Sequence, residues 1–95
     1  MNRQIINQLA ELKPILKEKY GIEEFAIFGS VANGTDTKDS DIDIAVLKFN
    51  LKDAFALLEA KDFLSKTLNK PVDLGTFNSM KTFIKNRIKK DFIYV

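Results

Sequence analysis

Asp41-Ile42-Asp43-Ile44-Ala45-Val46-Leu47 is the segment that most restricts what this chain can fold into. Carboxylate and isoleucine alternate over its first half, and its second half is wholly apolar. A strand has a period of two, so Asp41 and Asp43 share one face while Ile42 and Ile44 share the other. The isoleucines then belong in a core and the carboxylates outside it. Two like charges side by side repel each other unless a cation sits between them. Mg²⁺ is the natural occupant, because it takes one or two carboxylates and completes its shell with phosphate oxygens and water.

The rest of the composition narrows the chemistry further. The 95 residues contain no Cys and no His. Disulfides, thiolate metal sites, imidazole bases and the Ser-His-Asp triad are therefore excluded, leaving carboxylates, Lys, Tyr or a hard metal bound through oxygen. The length suits a single domain over 1–95, with a small core. Eight Phe are more than so small a core readily hides, so some rings are expected at a partner interface. A net charge of +2 is too slight to argue for nucleic-acid binding. With no apolar leader and no stretch long enough to span a bilayer, a cytoplasmic location is expected.

Periodicity places the elements. Ile5, Leu9, Leu12, Leu16 and Tyr20 recur at helical spacing across a helix from about Asn2 to Tyr20, with Pro14 kinking or restarting it and Gly21 as the cap. Glu24 to Phe28 reads as a buried strand, Ser30 to Gly34 as one short helical turn, and Thr35 to Ser40 as a loop. Asp41 to Leu47 is the second strand. Asn50, with Asp53 three residues on, is the expected cap of a helix whose inner face carries Leu57, Ala60, Leu64 and Leu68. Asn69-Lys70-Pro71 ends that helix, and Val72-Asp73-Leu74 is a minimal third strand. Ser79 is the expected cap of a last helix with Phe83, Ile84 and Ile88 turned inward, and Phe92 to Val95 a closing strand. The order argues an α/β or α+β fold, a small mixed β-sheet covered by helices.

Gly29-Ser30 ends the first strand as Asp41 begins the second. If these strands are antiparallel neighbours, both motifs lie at the same edge of the sheet. Gly29 lets a phosphate approach the backbone, and Ser30 offers a hydroxyl and an N–H at the start of a helical turn. A triphosphate held on one side and metal on the other is the arrangement that phosphoryl or nucleotidyl transfer needs. Asp73, alone between Val72 and Leu74, is costly in an apolar strand unless paired or metal-bound. Beside Asp41 and Asp43 it would complete a two-metal site and accept the proton of an attacking hydroxyl. Asp39, Asp41 and Asp43 also imitate the start of a calcium loop, but Ile44 and Asn50 stand where that loop needs Gly and Glu.

GSVANG, SDIDIAV and the later PVDL together resemble the minimal nucleotidyltransferases of the DNA polymerase beta superfamily, over nearly the whole chain. The resemblance implies that Gly29 and Ser30, with Ser40 ahead of the acidic pair, bind the nucleotide. It implies that Asp41 and Asp43 hold two Mg²⁺ ions, and that Asp73 holds the catalytic one and activates the acceptor. Relatives this short often accompany a helical HEPN-domain toxin as its antitoxin, and some transfer AMP from ATP onto a tyrosine of that toxin. A Mg²⁺-dependent transferase using ATP on such a partner is therefore the leading expectation.

The family often carries Ala-Arg-Gly after Gly-Ser. Here the triplet is Ala32-Asn33-Gly34, which leaves Lys38 as the candidate phosphate cation. That departure supports the alternative of an antitoxin that neutralises by binding alone. A weaker alternative is transfer onto a small molecule or an RNA end. Lys81, Lys85, Arg87, Lys89 and Lys90 read first as a solvated helix face, and otherwise as a contact for nucleotide, RNA or an acidic partner. A homodimer or hetero-oligomer is compatible with the composition.

Overall fold

Ile5 and Leu9 stand four residues apart, as the buried stripe of an amphipathic helix requires, and are 6% and 0% exposed. They lie on α1 (Arg3–Ile15) of the computed structural model, which describes residues 3–95. The expected helix start at Asn2 lies outside the described residues. Pro14 is carried inside α1, and the chain then widens into a π turn over Leu16–Tyr20. Proline withholds one i→i−4 hydrogen bond, and a wider turn is one way a helix absorbs such a disturbance. The widened turn keeps Leu16 and Tyr20 buried. Gly21 caps it in the left-handed region, at φ 80°.

The remaining elements are β1 (Ile22–Phe28), α2 (Gly29–Asn33), β2 (Ile42–Phe49), α3 (Ala56–Leu68), β3 (Val72–Thr76), α4 (Thr82–Ile88) and β4 (Ile93–Tyr94). The strands form one sheet in the order β3-β2-β1-β4. β1 runs antiparallel to β2 and to β4, whereas β2 and β3 are parallel. The sheet is thus mixed and covered by helices, as expected. Phe25 and Ile27 lie opposite Val46 and Ile44. With Ile42 they form a layer in which no residue is more than 2% exposed, packed in one cluster with Leu9, Leu16 and Leu64. On the opposite face Ala26 meets Ala45 and Phe28 meets Asp43. Phe92 reaches that end of the molecule, 6.1 Å from the Phe28 ring and edge-on to Phe77 at 5.4 Å. Among the described residues no helix is long and apolar enough to cross a membrane.

Two helix starts differ from expectation. Asn50 does not cap α3: Phe55 occupies the cap position, and the Asn50 backbone N–H donates to the Gly21 carbonyl at 2.7 Å. It is bound to the turn that leads into β1. Asp53 instead accepts from the Phe55 N–H at 2.8 Å, a local turn that delays α3 until Ala56. Ser79 does not cap α4 either. Its hydroxyl donates to the Thr76 carbonyl at 2.9 Å, and Lys81 occupies the cap position. The inward face expected for α4 is also absent: Phe83 is 68% and Ile84 36% exposed. The core face of the sheet is already occupied by residues of α1 and α3, so the short C-terminal helix has no second apolar layer to meet.

Candidate active site

Strand direction assembles the site. The antiparallel pairing sets Phe28, at the end of β1, opposite Asp43 near the start of β2. The parallel pairing sets Asp43 opposite Asp73. The Gly29-Ser30 turn and the acidic residues therefore meet at one end of the sheet. Asp41 lies just ahead of β2 and is exposed, rather than inside the strand as expected. Ile42 and Ile44 are buried on the other face, as the alternation requires. Asp73 is exposed and Asp43 half-buried.

Gly29 is required by its neighbours before any ligand is considered. Its φ is +76°, where a Cβ is strained. A Cβ built there would run into the Asp43 Oδ2 oxygen and lie 3.2 Å from Asp43 Cγ. The carboxylate thus rests against the glycine backbone. Burial is the main cause holding the Asp43 carboxyl above the ordinary aspartate range, and the charges of Asp73 and then Asp41 add to it. Among the described residues no three acidic side chains close into a ready-made metal cage.

The raised Asp43 has a measurable consequence. Folded Asp43 holds its proton more tightly than the unfolded chain does, so stability falls as pH rises from the ordinary aspartate value, about 3.9, through the raised one. Asp43→Asn is therefore expected to raise the urea midpoint at neutral pH. The advantage should shrink as pH falls below the aspartate range, and urea titrations of both proteins across that range read it directly.

The loop between Asn33 and Asp41 is tied to itself. Asn33 Oδ1 accepts from the Thr35 hydroxyl at 2.6 Å and from the Thr35 N–H at 3.2 Å. The Ser40 hydroxyl accepts from the Thr37 N–H at 2.7 Å, and the Ser40 N–H donates to the Thr37 carbonyl at 3.1 Å. Ser40 therefore stands beside Asp41 with its hydroxyl engaged in the loop's own turn. Lys38 is exposed on that turn. The lysine that grips the loop is Lys70, whose ammonium donates to the Thr37 carbonyl at 3.0 Å. Sequence reasoning missed it, because a lysine between a helix end and Pro71 reads as part of a helix break.

Residues 9–95 match the family model of the nucleotidyltransferase domain. The chain belongs to that family. MJ0128 of Methanocaldococcus jannaschii is 42% identical to this nucleotidyltransferase over 93 residues, 97% of this chain and 95% of its own. Protein adenylyltransferase MntA of Thermococcus cleftensis is 30% identical over 97% of this chain and 93% of its own. A solved structure of a tri-AMPylated Shewanella oneidensis HEPN toxin in complex with MNT antitoxin superposes with a TM-score of 0.69 at 26% identity, over 99% of this chain and 71% of the matched one. Membership sets the reaction class, transfer of a nucleotidyl group, and makes a nucleotide the substrate.

Proposed function

We propose that this chain, acting as one domain over 1–95 in the cytoplasm, transfers AMP from ATP onto a small helical HEPN-domain toxin and so serves as its antitoxin. The observation that carries the reading is the register of Asp43 opposite Asp73 beside the Gly29-Ser30 turn. The adenylyltransferase relative and the complex with an AMPylated HEPN toxin supply the acceptor class.

Two Mg²⁺ ions would suit these carboxylates. Asp43 is pushed up by its own burial and by two neighbouring carboxylates, and bound cations relieve that repulsion. Asp41 and Asp43 would hold both ions and Asp73 would hold one; when bound, the metal neutralises charge on the phosphates. Gly29, Ser30 and the Ser40 end of the loop frame the triphosphate. Asp73, exposed at the sheet end, takes the proton of the acceptor hydroxyl. The hydroxyl oxygen then bonds to the α-phosphorus, and pyrophosphate leaves with the bridging oxygen.

Mixing the protein with Mg²⁺, ATP labelled in its α-phosphate and the candidate toxin should place label on the toxin. Chelation of the metal should stop transfer. Absence of label on any toxin tyrosine sinks the reading. Asn33, standing where relatives often carry a basic residue and tied instead to Thr35, favours a second reading, neutralisation by docking alone. Full protection by Asp41→Asn/Asp43→Asn would select that one.

A further inference from the structure

Asn69 ends α3 at φ 54°, the sole left-handed non-glycine residue among those described. That reversal sends the chain back along β2. Lys70 follows, with its ammonium donating to the Thr37 carbonyl at 3.0 Å and to the Ser40 carbonyl at 3.4 Å. The Ser40 carbonyl belongs to the peptide that bears Asp41. One residue further on, the Pro71 carbonyl accepts from the Ile42 N–H at 2.9 Å, and Asp73 then pairs with Asp43. The segments that carry Asp41 and Asp73 are therefore clamped together from both sides of Asp41. Pro71 holds the residue after it, and Lys70 holds the peptide before it.

The geometry points to Lys70 as a positioning residue that sets the Ser40–Asp41 peptide, and hence the Asp41 carboxylate, relative to Asp73. The inference rests on the metal-dependent transfer proposed above. An ammonium has three donors and no acceptor, so it can satisfy two carbonyls of one turn at once. Charge assistance makes such bonds stronger than neutral ones. Lys70 also brings a positive charge to the end of the sheet where three carboxylates gather. Without it, the turn at Thr37–Ser40 keeps its own hydrogen bonds but loses its tie to the β3 side. Asp41 would then sample positions that do not share an ion with Asp43 and Asp73. A metal would still bind, but at higher concentration.

The test is the Mg²⁺ concentration for a half-maximal rise in the protein's unfolding temperature, read without any turnover, beside the Mg²⁺ concentration for half-maximal label transfer, with the KM for ATP and the kcat recorded separately. Lys70→Met should raise the Mg²⁺ requirement about 10- to 100-fold, the usual effect of losing a group that orients a metal ligand. Lys70→Arg should restore it to near wild type. Lys66→Met is the control: Lys66 lies on α3 and pairs with Asp62 at 2.9 Å on an exposed face, so its loss should leave the Mg²⁺ curve in place. Lys70→Gln, which retains a donor without charge, provides the measurement if the Met variant fails to fold, and an intermediate requirement is expected. An unchanged Mg²⁺ requirement in Lys70→Met or Lys70→Gln overturns the inference, as does a shift that arginine does not rescue. Wild-type protein that transfers no label overturns the underlying reading instead.

Discussion

Asp43→Asn is expected to reduce adenylyl transfer about a thousandfold or more, while the fold becomes at least as stable at neutral pH. The two effects have one origin. Asp43 lies half-buried against Gly29, opposite Asp73 and two residues from Asp41. In the metal-free protein its charge is a burden, which is why its carboxyl is held above the ordinary range. Asparagine keeps the shape and removes that burden. In the transfer proposed above, the same charge would become the attraction that places metal and triphosphate, and a bound cation would supply several kcal/mol of charge stabilisation. Each 1.36 kcal/mol is tenfold in rate, so a loss of about three decades is the natural scale. Label transfer and thermal unfolding on the same preparations separate the two. A variant that loses activity together with stability would mean that Asp43 is structural.

Gly29→Ala is the second large effect, and its cause is steric. The left-handed backbone costs a non-glycine residue about 1–2 kcal/mol. The new methyl also strikes the Asp43 carboxylate, which must leave its place beside Gly29. Transfer should fall nearly as far as in Asp43→Asn, but here stability falls with it. The collision can be separated from the backbone term by a double-mutant cycle. Asp43→Ala removes the struck atoms, so Gly29→Ala should cost less stability in that background, with a coupling of about 0.5–3 kcal/mol. Urea unfolding of the four proteins measures it. Additive costs would mean that the backbone alone demands glycine.

The same residue shows how far the sequence could be read. Gly29-Ser30 was expected beside the acidic pair, and the antiparallel register places it there. The expected reason was room for a phosphate. The structure adds an intramolecular one, since the Asp43 carboxylate already fills the space a side chain would take. The burial of Ile42 and Ile44 and the Gly21 cap were legible for a like reason: each is a local pattern with a fixed period or a fixed backbone requirement. Asn50 and Ser79 had the chemistry of helix caps, but the Asp53 turn delays α3 to Ala56 and the Thr76 carbonyl takes the Ser79 hydroxyl, and nothing in a local window announces such competition. Phe83 and Ile84 carried helical spacing, but spacing cannot say whether a core is left to receive them.

The run Ile42-Asp43-Ile44 by itself determined that two core residues and a carboxylate would lie on opposite faces of one strand, because a strand's period is two, whereas Asp41 falls just ahead of it. Only the tertiary structure decided which partners those carboxylates meet. Asp73 comes opposite Asp43 because β2 and β3 run parallel in that register, after a helical crossover that packs on the shared core. Lys70 reaches the loop because Asn69 turns the chain back at the end of that same helix. Face is a property of neighbours in the chain. Proximity across 30 residues is a property of the packed core, and the site depends on both.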